Sequence, residues 1–416
     1  MSSRSKSQQS KTTPSSIRKS EAWKAAEFGY ESLHAMSMVP WMGRRPQTPE
    51  EKIAQLKAVL QRCPNFYPAV LEMGLLRVAR GQGKSAEKQV LDGFELMMAL
   101  AEPKKLAAQI ATTFSNLQKF CRYDLCRQIL EPAVKRLPRN ADLRDSLACA
   151  LGQLGDFEGA LLQIEKALEL EPYDPFYLSN RGWIQLMAGK PEDAERSLRK
   201  ALRIKPGHPH ARGNLRVYRY LRDHGGTYLD YLLRPANRKR IDHLANKDRW
   251  READELSDRV NSDRMEAFTL WLMQQGGRAR DNIHNWQSTL ANFFGFVREL
   301  AFGDFPLDED VDYIGSRLDR ILHKFIFKFA DADSETLQEI GEGTRAYYEC
   351  LAAHKLVGVK DLRSYCRKVE KMMPKMIEKT NRYKAVRHDP KLDEDEKEKE
   401  KIREELFDGD HLSPHL

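Results

Sequence analysis

Apolar residues recur along this chain in steps of three and four, the spacing that collects them on one face of a helix. Ile53, Leu56, Val59 and Leu60 follow it, and so do Ala194, Leu198, Ala201 and Leu202. Runs of β-branched residues are rare and glycine and proline are sparse, so the pattern predicts an almost wholly helical chain. Between 107 and 206 the pattern itself repeats with a period of 34 residues. Cys126, Ala160 and Ala194 share one register, Ala133, Ala167 and Ala201 a second, and Pro138, Pro172 and Pro206 a third. Cys121, Gly155 and Gly189 hold a fourth. A fixed period in this range marks a stacked array.

Each unit reads as two short helices. In the third, Tyr177, Leu178, Trp183, Ile184 and Leu186 load the first helix, and Gly189-Lys190-Pro191 breaks it. Glycine supplies a left-handed terminus and proline opens the next helix. Ala194 and Ala201 are small where a neighbouring helix must come close, and Pro206 stops the second helix. One such pair cannot bury its own apolar face, so consecutive pairs stack and share a core.

Gly182, Gly189, Ala194, Leu198, Ala201 and Pro206 in the third unit, and Ala148, Gly155, Ala160, Ala167 and Pro172 in the middle one, resemble the tetratricopeptide repeat family. The first unit is weaker, with Phe114 and Cys126 in slots that the family fills with smaller residues. The resemblance implies an all-α fold, a right-handed solenoid of helical hairpins, with units at 107–140, 141–174 and 175–208. It also implies a concave groove lined by the first helix of each unit. Carried over by register, that groove presents Phe176, Ser179, Asn180, Trp183 and Met187, then Asn214 and Tyr220. The family's best-known groove clamps a carboxylate with Lys and Asn. Here the matching slots hold Ala111 and Ser115, or Asp145 and Cys149, and only Asn180 and Asn214 fit, so no such clamp is expected. Phe176, Trp183 and Met187 are instead expected to anchor a peptide, or to be covered by the chain's own second domain.

Degenerate units extend the array. Thr48-Pro49-Glu50-Glu51 is a helix start with a capping hydroxyl, a proline and two acids, and Gly74, Gly81 and Ala86 fall into register within 67–106. A capping helix follows at 209–222, which closes a solenoid spanning 21–233. Residues 1–20 are basic and poor in apolar side chains and are expected to be a disordered tail. A basic linker is expected at 234–252 and a compact helical domain at 253–386, where the 34-residue period is gone. The pattern from Phe268 to Phe296 faintly resembles the helical core-binding domain of tyrosine recombinases, but no His-x-x-Arg occurs and recombination is excluded. Mixed charges at 387–416 indicate a solvated tail.

Charge adds a second candidate surface. The chain carries a net +8, yet residues 196–251 alone hold sixteen basic and four acidic side chains. Arg212, Arg216 and Arg219 share a helix face, and Arg238, Lys239 and Arg240 follow. Such a patch serves phosphates, an acidic partner, or merely solvation. Chemistry is thinner. No glycine-rich phosphate loop, Gly-x-Ser-x-Gly, His-Glu-x-x-His or calcium loop occurs, and the six cysteines have no zinc spacing. No catalytic residue, metal or cofactor is therefore expected. No apolar run spans a membrane and no apolar core follows the first basic residues, so a cytoplasmic protein with reduced cysteines is expected. The reading is a non-enzymatic adaptor that holds a protein or peptide segment in the groove. The alternative is a nucleic-acid-binding protein that uses 196–251 and the C-terminal helical domain. Partner identity and oligomeric state are not encoded in the pattern.

Overall fold

The computed structural model describes residues 13–37, 48–275, 282–301, 305–328 and 333–387. Every regular element among them is a helix. The chain divides into two compact units, residues 1–225 and 226–416.

In unit one, α1 (Pro14–Arg18) leads into antiparallel pairs: α2/α3 (Glu21–Ser37, Pro49–Arg62), α4/α5 (Tyr67–Ala79, Gly83–Leu100) and α6/α7 (Pro103–Lys119, Tyr123–Arg136). The pairs α8/α9 (Ala141–Gln153, Phe157–Leu170) and α10/α11 (Pro175–Met187, Pro191–Ile204) follow, and α12 (Pro209–His224) closes the series. Local sequence fixes these boundaries. Thr48 closes a capping box with Glu51, and prolines open α3, α6, α10, α11 and α12, where a missing N–H costs nothing. Between paired helices the backbone turns through positive φ, at Gly155 (82°) and Gly189 (69°). Cys121 takes the same turn at 53°, although a side chain is disfavoured there.

Pairs close because small residues meet large ones. A Cβ on Gly182 would lie 2.6 Å from Leu198 Cγ, and one on Gly74 would lie 2.9 Å from the Val90 backbone nitrogen. Ala133, Ala160, Ala167, Ala194 and Ala201 have no solvent exposure, which puts the 34-residue register at the helix contacts. The second helix packs on the first helix of the next pair at α3/α4, α7/α8, α9/α10 and α11/α12, whereas α5 packs on α7.

Unit two holds α13 (Tyr228–Leu232), α14 (Arg238–Ala245), α15 (Trp250–Gln275), α16 (Ile283–Leu300), α17 (Val311–Lys328), α18 (Ser334–Ala353) and α19 (Val359–Arg387). Phe268, Phe293, Phe294, Tyr347, Tyr348 and Tyr365 are buried in its core. Arg264, 1% exposed, ties the unit's start to its interior. It pairs with Glu309 and donates to the carbonyls of Leu232 and Arg234.

Two boundaries differ from the sequence expectation. Residues 14–18, placed in the disordered tail, form a helical turn whose Arg18 donates to the Leu100 carbonyl. Residues 234–252 are not a free linker. Ile241 and Leu244 of α14 pack with Ala253, Val260 and Leu307, an apolar face that the surrounding arginines concealed in the sequence. The unit boundary accordingly falls at 225/226 rather than after 233. Residues 1–12 and 388–416, which contain most of both expected tails, lie outside the described residues.

Candidate protein-binding face

The first helices of successive pairs are neighbours: α4 touches α6, α6 touches α8, α8 touches α10, and α10 touches α12. Their shared face carries the residues expected to bind a partner, and the structure sorts them. Phe176 is 47% exposed, with its ring edge-on to His208 at 4.5 Å and Lys205 Nζ 5.1 Å from its centroid. Trp183 and Met187 are half-buried. The Trp183 indole lies on Gly152 of α8, where a Cβ would come within 2.9 Å of Cζ3, so packing absorbs part of that ring. Ser179 is fully buried, which removes it from the face. Asn214 is half-buried, and Tyr220 stacks on His224 at 4.4 Å.

Asn180 is committed within the chain. Its Nδ2 donates to Asp145 Oδ1 at 2.8 Å and to Oδ2 at 3.0 Å, across the α8/α10 contact. Beside it the Tyr177 hydroxyl donates to Asp142 Oδ1 at 2.6 Å. Burial pushes the Asp145 carboxyl up to about 6 against the pull of Asn180, with Asp142 and Asp174 adding to the rise. The same burial, with Asp145 beside it, holds the Cys149 thiol well above its usual range. His208 caps α12: its Nδ1 accepts the Ala211 N–H at 3.2 Å, so this nitrogen carries no proton. Burial, and then His210 and Lys205, keep that ring's pKa below its ordinary value.

The basic candidates separate between the units. Arg212, Arg216 and Arg219 are exposed on α12, and Arg212 donates to the Pro206 carbonyl at 3.1 Å. In unit two Arg238 is spent on Asp310 and the Phe305 carbonyl, so it is a structural cation rather than part of an open patch. Lys239 and Arg240 are exposed.

A site that the sequence did not single out lies at the other end of unit one. A cavity of about 520 Å³ opens between α2, α4 and α6. Trp23, Phe66 and Tyr67 form its aromatic wall, with Trp23 edge-on to Phe66 at 4.9 Å. Leu71, Leu75 and Met97 add apolar lining. Gln109 Nε2 donates to the Tyr67 hydroxyl at 2.9 Å. Glu72 meets Lys52 Nζ at 2.6 Å and His34 Nε2 at 2.9 Å. Burial raises its pKa, but hydrogen bonds from Lys52 and Tyr30 with the charges of Lys52 and His34 outweigh this and hold Glu72 below the usual carboxylate range. Glu27 and Glu31 also line the cavity. The one sequence signal was the aromatic density of 23–30, which reads equally as core.

Comparison with known proteins places the repeat. Residues 141–174, the α8/α9 pair, match the tetratricopeptide repeat family model. No curated protein matches the chain. Among solved structures, YrrB, described as a TPR protein with an unusual peptide-binding site, is 21% identical; the match covers 47% of this chain and 92% of that one, at a TM-score of 0.35. MamA from Desulfovibrio magneticus RS-1 is 18% identical over 45% of this chain and 97% of its own, at 0.33. The P58(IPK) TPR domain is 13% identical over 85% and 99%, at 0.23. All three scores lie below 0.5, and the repeat assignment stands on residues 141–174 and on the helix pairing itself. Residues 141–174 thus form a tetratricopeptide repeat, and the helix pairs on either side repeat its hairpin arrangement.

Proposed function

We propose that this chain is a non-enzymatic adaptor whose unit one holds a segment of another protein against the first helices of its repeats. The observation that carries this reading is the cavity between α2, α4 and α6. Its volume of about 520 Å³ falls within the ~300–1,000 Å³ of ligand-receiving pockets. Its aromatic wall with a few hydrogen-bonding groups is the composition that anchors a side chain in a binding hot spot. Phe176, exposed on α10, supplies a second contact further along the same series of helices. The six free cysteines fit a reducing, cytoplasmic setting.

A photo-crosslinking residue at Thr112, which is exposed and lines the cavity, tests the proposal. A partner held there is crosslinked from Thr112 and not from a residue on the outer face of α7, and a Phe176→Ala change weakens its retention. Equal labelling from both positions refutes the reading.

A second reading, phosphate binding by α12, rests on the exposure of Arg212, Arg216 and Arg219 on one helix. Three phosphate contacts predict a slope of about −2.7 in log affinity against log salt for duplex DNA. A flat salt response removes it.

A further inference from the structure

The charges around the cavity specify what enters it. Two of the acids at its edge are already matched by cations within the chain, Glu72 by Lys52 and Glu102 by Lys105; Arg18 donates to the Leu100 carbonyl, which orients its charge without cancelling it. Glu27 and Glu31 are different. They stand one turn apart on α2, both exposed and both lining the cavity, and neither pairs with a cation among the described residues. Like charges at i and i+4 oppose the helix that carries them, so the pair does nothing for α2.

Further acids lie on the first helix α8 and at the cap of α10, although α6, between them and α4, carries Lys104, Lys105 and Lys119 and no acid. Asp142 and Asp145 of α8 and the α10 cap Asp174 take hydrogen bonds from Tyr177, Asn180 and backbone N–H groups, but no Lys or Arg pairs with them among the described residues. These acids accumulate in a chain whose net charge is +8. An acidic pair at the mouth of an apolar cavity steers and selects a partner of the opposite sign.

We propose that the cavity receives a cationic segment: a large apolar or aromatic side chain seated against Trp23, Phe66 and Tyr67, flanked by Lys or Arg that pairs with Glu27 and Glu31. The inference rests on the adaptor reading and adds the chemistry of its partner. The apolar anchor fills the cavity, the flanking cations lie at its mouth in water, and the ion pairs set selectivity more than affinity. An acidic or C-terminal carboxylate segment is repelled.

A displayed library of random heptapeptides, selected on the full chain, tests this, with the enriched peptides then titrated against three forms of the protein. On wild type the selected pool is rich in Lys and Arg beside an aromatic or aliphatic residue. The Glu27→Gln/Glu31→Gln variant, which alters only exposed side chains, binds those peptides about tenfold more weakly, and binding to wild type weakens with added salt. Thr112→Trp, which fills the cavity, abolishes binding. A neutral or acidic pool, or equal binding to the Gln variant, overturns the cationic assignment while leaving the adaptor reading in place, provided Thr112→Trp still blocks. Peptides indifferent to Thr112→Trp, or no enriched peptide at all, overturn both.

Discussion

Replacing Asp145 by Asn should make unit one more stable at neutral pH. The carboxyl is half-buried on α8, accepts from Asn180, and has Asp142 and Asp174 as like-charged neighbours. Its pKa rises from 3.8 unfolded to about 6 folded. The folded chain therefore binds a proton more tightly than the unfolded chain. Stability contributed at this position is greatest below pH 4, falls as pH rises towards 6, and carries its full penalty above that. At ~1.4 kcal/mol per pH unit, the span between the two values is worth ~3 kcal/mol. Asn keeps the shape and one oxygen for Asn180 but introduces a donor, so part of the gain is lost. The net expectation is ~1–3 kcal/mol of added stability at pH 7.5 and little at pH 4. Urea unfolding followed by far-UV circular dichroism at both pH values measures it, with hydrogen exchange of α8 and α10 amides locating the change. A neutral or destabilising effect at pH 7.5, or the same effect at both, refutes the reasoning. If the acid persists because a cationic partner uses it, the stabilised variant should also bind the selected peptides less well.

Other positions give separate tests. Gly189→Ala places a side chain at φ 69° with no neighbour within 4 Å, so its cost is backbone strain alone, ~1–2 kcal/mol by chemical denaturation. Gly182→Ala drives a Cβ into Leu198 and should cost ~1–3 kcal/mol by overpacking; a null result would mean that α10 and α11 are not in register. Arg264→Ala leaves Glu309 and two carbonyls of unit two without their buried cation and should cost ~3–5 kcal/mol, read from the unfolding midpoint. Asp308 behaves like Asp145: burial raises it to about 7 against the pull of Arg298, so unit two should lose stability as pH rises from 4 to 7.

The fold was legible wherever the sequence obeyed a period. The 34-residue register of Ala160, Ala167, Ala194 and Ala201 named positions that the structure shows fully buried, because close helix contacts admit nothing larger. The turn at Gly189 and the Cys121 substitution in the same slot were also readable, and both adopt positive φ. The start of α14 was not. Ile241 and Leu244 are two apolar residues among arginines, too few to show a face until Ala253 and Leu307 are seen against them. Nor was the turn at 14–18, because the Arg18 bond to Leu100 joins residues 82 positions apart.

The binding face was legible only by element, and the reason is electrostatic as much as geometric. Register identified the first helices, yet it could not tell that Ser179 points into the core or that Trp183 rests on Gly152, since both depend on the adjoining helix. Charge counting along the chain drew attention to the arginines of 196–251, where like signs are consecutive. The acids of the face are spread over α2, α8 and the turn before α10, three separate stretches of sequence, and none of them forms a charged run as long as 196–251. Internal pairing then decides what a partner meets. Arg238, counted in the basic patch, is paired with Asp310, whereas Glu27 and Glu31, unremarkable in sequence, have no cationic partner among the described residues and stand at the mouth of a cavity. A segment diffusing towards unit one responds to those residual charges and not to the chain's net value, which is why a protein of net +8 is expected to select a basic partner.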